Sequence, residues 1–280
     1  MLPGDFRAID ASHLAAIRAL GLSGAAFHAP GDSLFEVSDA ECAAVRRTYA
    51  EAGMDLPQFG IGYGECLFDP DDGVRQTVIR KIERGIEVAA ALGAGVCLLR
   101  TGGLNPGGSY FPDAANHAPD SWERLVDTLK QVCAKAESAG VTMVMETHVL
   151  TITDSPETNG RLVADVGSER MRIVMDYVNH FQNVKQVFAS AERIDHIFDT
   201  MGHLCPVGHC KDIRFGKGLV IHIDEEVPGD GLLDLGRALR RWHDLDPEAY
   251  MLLEHLPNEK YPHAAANVHR ILEQAGIEVH

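Results

Sequence analysis

The sequence predicts an α/β fold, a (β/α)8 barrel, and three observations carry that reading. Short apolar runs alternate with amphipathic segments along nearly the whole chain, the pattern of repeated β-then-α units around a parallel sheet. Their number favours a closed barrel over an open sheet. Glu146, Asp176, His209 and Glu254 each lie at the C-terminal end of such a run, where a parallel barrel collects its functional side chains. The 280 residues suit one domain over 1–280, and 45% hydrophobic content suffices for a sizeable core. Neither a repeat nor a linker divides the chain.

Residues 24–28 form the first apolar run, and 38–53 the helical pattern after it. The next strand, 56–63, leads into a long amphipathic helix with Val74, Val78, Ile82, Ile86, Ala89 and Leu92 on one face, closed by Gly93. Strand 95–100 precedes a Gly/Pro/Asn-rich loop to about Pro119, and helix 121–139 ends at Gly140. Strand 141–146 comes next, then a loop in which Ser155 caps a helix and Pro156 takes its first position. Strand 171–176 is succeeded by a polar loop and a helix to about Met201. Strand 207–213 opens a long excursion, 214–231. Helix 232–243, strand 250–256 and helix 263–276 complete the pattern. That makes seven strands. An eighth should precede the helix over 11–20, which Asp10 caps. Only residues 1–8 are available, and Pro3-Gly4 reads better as the loop after a strand than as a strand. The barrel is therefore expected to lack its first strand or to carry an irregular one. Two uncovered edges would favour a homo-oligomer or a partner subunit.

A net charge of −16, from 25 Lys and Arg against 41 Asp and Glu, argues against a nucleic-acid partner. It favours a small polar substrate and a cation drawn to an acidic cleft. No apolar stretch reaches the ~20 residues of a membrane helix, and residues 1–20 carry no secretion signal. The six cysteines lack CxxC spacing, which points to free thiols in a cytoplasmic protein. Cys210, beside His209, should face the opposite layer and pack there.

Three carboxylates and one imidazole, delivered from successive strand ends, converge if the barrel closes. The oxygen-rich set suits one divalent ion, Mn²⁺ first, with Mg²⁺, Co²⁺ and Zn²⁺ as alternatives. Any single acid could instead face solvent or pair with a lysine; four at equivalent places favour convergence. His148 shares the inward face of Glu146, where a neutral imidazole fits either acid–base work or a hydrogen bond to a loop. His28 and Arg100 end their strands and face the same region, as substrate contacts or structural partners. Lys211, two residues after His209, points inward to substrate or to an acid. Asp212 should point outward and brace a loop. Surface roles are expected for His180, His203 and His222.

The stretch His209-Cys-Lys-Asp212, the segment Pro228-Gly-Asp-Gly231 with Leu233-Asp234, and Leu253-Glu254-His255 resemble the xylose isomerase-like barrel superfamily of sugar isomerases and epimerases. The resemblance runs from about residue 10 to 275. It implies a TIM barrel in which Glu146, Asp176, His209 and Glu254 bind the metal. Glu146 and Glu254 would also move protons on opposite faces of a keto-sugar, through an enediolate. Three positions depart from family patterns. Asn179 stands where many members carry a histidine three residues after the aspartate ligand, and is taken as a substrate-facing residue. Ile152 replaces an acid and Phe215 an arginine of the ketose 3-epimerases. Those departures argue against the endonuclease IV branch and against a strict ketose 3-epimerase. Glu146-Thr-His148 is similar to stretches in dehydratase- and lyase-like members, including barrel subunits of C-glycoside deglycosidases. Three functions remain open: a metal-dependent isomerase or epimerase of a keto-sugar; a lyase, dehydratase or keto-glycoside deglycosidase; and a non-catalytic sugar-binding subunit.

Overall fold

Capped helices and buried strands succeed one another in the order the hydrophobic pattern dictates. The computed structural model describes residues 1–278. Helix α1 (Ala11–Arg18) starts at Asp10, whose carboxylate accepts from the Ser12 and His13 amides. Strand β1 (Phe27–Pro30) leads to α2 (Asp39–Ala52), opened by a Ser38–Glu41 capping box. Next come β2 (Gln58–Gly62) and α3 (Asp72–Leu92), which buries Val78, Ile82, Ile86, Ala89 and Leu92 and ends at left-handed Gly93. Then come β3 (Val96–Arg100), α4 (Pro119–Ala139), β4 (Met143–Glu146) and α5 (Pro156–Val166). Ser155 and Pro156 stand at the cap and first position of α5 as their chemistry predicts. Strand β5 (Met171–Met175) precedes two helices, α6 (Val184–Phe188) and α7 (Ser190–Met201), where the pattern suggested one. Strand β6 (Val207–Cys210) completes the central run.

The excursion after β6 is more ordered than expected. Strand β7 (Asp212–Phe215) pairs antiparallel with β8 (Ile223–Glu226) in a hairpin. The physical reason is a period of two: Ile213 and Phe215 alternate with Asp212 and Arg214, and Arg214 pairs with Glu226 at 2.9 Å. Helix α8 (Leu235–Leu245), strand β9 (Met251–Leu253) and helix α9 (Tyr261–Ala275) complete the chain's elements.

Among the described residues the main sheet has seven parallel strands, ordered β1-β2-β3-β4-β5-β6-β9. It curls into an irregular barrel. Phe59, Ile61, Cys97, Leu99, Met143, Met145 and Ile173 face outward into the main core beneath the helices. Val96, Leu98, Val144, Val174 and Val207 face inward and form a separate cluster, edged by Tyr250 and Leu252. Two residue sets of alternating parity, one inside and one outside, are what a barrel demands of each strand. Before α1 lies only the short 3-10 turn Phe6–Ala8, so the expected gap in the strand ring is real within the described residues. None of their helices is long and apolar enough to cross a membrane.

Candidate functional site

Glu146 is the last residue of β4, Asp176 directly succeeds β5, His209 lies in β6 and Glu254 directly succeeds β9. Because adjacent parallel strands are in register, these positions share one barrel end. One ligand atom from each falls within 4.8 Å of the other three. Ligands about an octahedral ion at ~2.1 Å stand roughly 3 to 4 Å apart, so small side-chain shifts complete the geometry. Asp176 Oδ1 is buried without a hydrogen-bond donor, whereas Glu254 Oε2 faces His209 Nδ1. A buried carboxylate oxygen left bare is costly unless something cationic faces it. The donor set and the orphaned Asp176 oxygen fit a divalent ion.

Cations of the chain itself partly neutralise the cluster. Lys211 Nζ lies 2.6 Å from Asp176 Oδ2 and 3.8 Å from Glu254 Oε1. Burial pushes its pKa down, but Asp176, Glu254 and Glu146 outweigh burial and raise it, so it stays charged. Arg100 Nε donates to Glu146 Oε2 at 2.7 Å. Burial works against the His209 imidazolium, yet Glu254 and Asp176 outweigh it and lift its pKa to about 9. His209 Nδ1 faces Asp176 Oδ2 at 3.4 Å, and Nε2 meets Gln58 Oε1 at 3.1 Å. Asn179 donates to Asp176 Oδ2 at 2.8 Å and thereby touches the cluster.

His148 and His28 lie beside this centre in two pockets that share Arg100. The Leu150 amide donates to His148 Nδ1 at 3.1 Å, which assigns the proton of the neutral ring to Nε2. Burial lowers its pKa, so that neutral form prevails near pH 7. Tyr110 stands edge-on to the ring, at 6.2 Å between centroids. Arg100, Glu146, His148 and Asn179 line one small pocket beside the carboxylates. His28 faces inward over Gly60, where a Cβ would collide with its ring. Desolvation, then Arg100, lowers its pKa to about 4. His28, Arg100, His209 and Glu254 also line a cavity of about 820 Å³ that opens through the barrel wall. Every candidate site residue named from the sequence thus lies in or beside one region.

Sequence reasoning missed or misplaced three residues. His180 is fully buried, not at the surface: its Nε2 lies 3.2 Å from Thr147 Oγ1 and 3.3 Å from Asn159 Nδ2. A short 3-10 turn after Asp176 folds it inward, a local feature that periodicity does not encode. His203 and His222 are exposed as expected. Strand alternation would turn His255 away, but its backbone is left-handed at φ 57°, and the ring returns to Glu254 Oε1 at 2.9 Å and Glu225 Oε1 at 3.4 Å. Gln58, the partner of His209, could have been found as the polar residue in an otherwise apolar run. Cys210 packs in the outer core, as parity predicts. Asp212 braces the hairpin: its carboxylate accepts from the Ile213, Gly229, Gly231 and Leu233 amides.

A family model for the xylose isomerase-like TIM barrel matches residues 14–272. Solved structures agree at the level of fold. Escherichia coli 3-keto-D-glucoside 4-epimerase, in its apo form, gives a TM-score of 0.70 at 16% identity, covering 96% of each chain. D-psicose 3-epimerase with D-tagatose, from Clostridium cellulolyticum H10, gives 0.69 at 13% identity, covering 95% of this chain and 92% of that one. A xylose isomerase-like TIM barrel protein from Mycobacterium smegmatis, in complex with magnesium, gives 0.71 at 14% identity, covering 96% and 90%. No curated protein sequence matches the chain.

Proposed function

The chain belongs to the xylose isomerase-like TIM barrel family, and on that premise we propose that it is a divalent-metal-dependent isomerase or epimerase of a keto-sugar or sugar derivative. The observation that carries this is the convergence of Glu146, Asp176, His209 and Glu254, with Asp176 Oδ1 left unpartnered. These four residues would hold one ion, with Mn²⁺ the expected occupant and Mg²⁺, Co²⁺ or Zn²⁺ able to substitute. When bound, it would polarise a substrate carbonyl and the neighbouring hydroxyl, acidifying the C–H between them.

The chain's own residues then do the proton work. Glu146 and Glu254 end the two outer strands of the four that build the cluster, so a substrate seated over the centre meets a carboxylate from either side. For an epimerase one carboxylate removes the proton and the other, already protonated, delivers its own to the opposite face. For an isomerase the first hands the proton it took to the neighbouring carbon. Lys211 and Arg100 oppose the negative charge that develops on substrate oxygens. Asn179 and His28 supply polar contacts at the rim. Structural neighbours named for acting on D-psicose and a keto-glucoside support a small sugar substrate by analogy of fold.

His148 favours a second reading. Its Nε2–H, on a ring that lines the same pocket as Glu146, is a proton donor ready for a departing oxygen, which suits a dehydratase, lyase or keto-glycoside deglycosidase. The deciding experiment measures metal content and substrate deuterium uptake in D₂O over a panel of keto-sugars. One ion per chain, lost in Glu146→Gln and His209→Ala, with C–H exchange and no leaving group, supports the isomerase. Release of water or an aglycone supports the second reading. Metal content and turnover untouched in Glu146→Gln would sink both, leaving the non-catalytic subunit.

A further inference from the structure

His255 is the one residue other than glycine with a left-handed backbone among the described residues, at φ 57°. A residue with a Cβ is disfavoured there, so the conformation persists only where the surroundings impose it. Burial does not impose it, because the His255 side chain is 48% exposed. Nor does a second ladder: β9 ends the sheet, joined to β6 alone, at the seam between it and β1. Two contacts remain to account for the turn. The ring presents Nε2 to Glu254 Oε1 at 2.9 Å and Nδ1 to Glu225 Oε1 at 3.4 Å, so each nitrogen faces a carboxylate from a different element. An extended residue 255 would send its side chain to the face opposite Glu254 and lose the first contact.

Glu225 belongs to β8 and stands opposite Ile213 of β7. The hairpin is therefore tied to the carboxylate cluster at both legs. On the β7 side Lys211, one residue before the strand, reaches Asp176 Oδ2 at 2.6 Å and Glu254 Oε1 at 3.8 Å. On the β8 side the tie runs through His255. Both ties meet Glu254 at the same oxygen, Oε1, which leaves Oε2 turned to His209 Nδ1. A ligand carboxylate held at one oxygen presents the other in a fixed direction. We propose that His255 is a positioning residue: it latches the β7–β8 hairpin to Glu254 and fixes Oε2 as the oxygen that this carboxylate offers to the metal site. The assignment rests on the reading of Glu254 as a metal ligand and adds the group that aims it. The two ring nitrogens have separate tasks. Nε2 orients the ligand, and Nδ1 holds the β8 leg against the end of β9. Substitution separates them, because the nitrogens lie at different reaches along the side chain. Asn carries its amide nitrogen at the reach of Nδ1 and Gln at that of Nε2, whereas Gly keeps the left-handed backbone and offers neither.

The test titrates Mn²⁺ alone into chelator-stripped protein by calorimetry, and follows amide exchange over 222–227 in the metal-free state. It compares the wild-type chain with His255→Gly, His255→Gln and His255→Asn. An unchanged urea midpoint in His255→Gly, where glycine suits φ 57°, shows that the fold is kept. His255→Gly should weaken Mn²⁺ binding about tenfold or more and speed exchange over 222–227 about threefold or more. His255→Gln should bring Mn²⁺ binding back to within about threefold of wild type while the hairpin stays fast. His255→Asn should do the reverse. Mn²⁺ affinity unchanged in His255→Gly would overturn the proposal, and a higher affinity would do so by making the ring a rival cation. One behaviour shared by all three variants would show that the backbone turn, not the side chain, is what matters, and hairpin exchange unchanged in every variant would remove the latch. Wild-type protein that takes up no Mn²⁺ would instead overturn the metal reading itself, and the proposal with it.

Discussion

β4 and β9 both deliver a glutamate to one cluster, yet they do so from opposite surroundings. β4 lies between β3 and β5, all four of its residues are buried, and the Glu146 side chain is 6% exposed. β9 is laddered to β6 alone, its three residues are half-buried, and the Glu254 side chain is 15% exposed. The difference teaches that a strand end can be aimed in two ways. In the wall, two ladders fix the backbone and the side chain is carried with it. At the seam, side-chain contacts replace the second ladder: left-handed His255 and Lys211 both reach Glu254 Oε1. Such a site has one rigid flank and one adaptable flank.

The comparison can be broken first at its charge balance. Lys211→Met removes a buried cation from among three carboxylates, and without metal it should cost about 4 kcal/mol in urea unfolding. Added Mn²⁺ should recover part of that loss; an unchanged midpoint in chelator would show that Lys211 does not hold the cluster together. The packing contrast is next. Leu98→Ala, in the wall, should cost about 3 kcal/mol, and half-buried Leu252→Ala, at the seam, about 1 kcal/mol, by the same denaturation. Equal losses would mean the seam is as well packed as the wall.

Acid sharpens the contrast further, because His180 belongs to the wall. Burial lowers its folded pKa to about 4, below the ordinary 6.5. Between those values the unfolded chain binds a proton that the folded chain does not, so stability falls as pH falls. From pH 7 to pH 5 its share of the loss is about 2 kcal/mol, and His180→Gln should flatten that part of the pH–stability curve. The smallest effect is Tyr250→Phe, which deletes the hydroxyl contact to Asp55 across the floor of the seam. About 1 kcal/mol or less is expected, with faster amide exchange confined to 250–254.

Much of this was legible in sequence because barrels write their wall as period-two apolar runs and their site at the run ends. Glu146, Asp176, His209 and Glu254 could be placed together for that reason, and Lys211 by parity alone. The missing strand was legible too, from Pro3-Gly4 beside a helix that Asp10 caps. What stayed hidden was conformation that departs from period: the left-handed backbone at His255, the turn that buries His180, and the hairpin within an apparent loop. Each depends on a local backbone choice stabilised by distant contacts, such as Glu225 to His255 and Asn159 to His180.

The bracing of Asp212 has an evolutionary consequence. Its carboxylate gathers amides from both ends of the excursion, beside β7 and at 229–233, so the stem of the hairpin closes independently of its tip. Lengthening a loop whose ends are already tied costs only about a few tenths of a kcal/mol per added residue or less, since closure entropy grows logarithmically. The stretch from Gly216 to His222, with Leu219, Val220 and Ile221 bare to solvent, is thus free to diverge in length and sequence while the stem of the hairpin keeps its shape. Changes there leave the barrel itself unaltered.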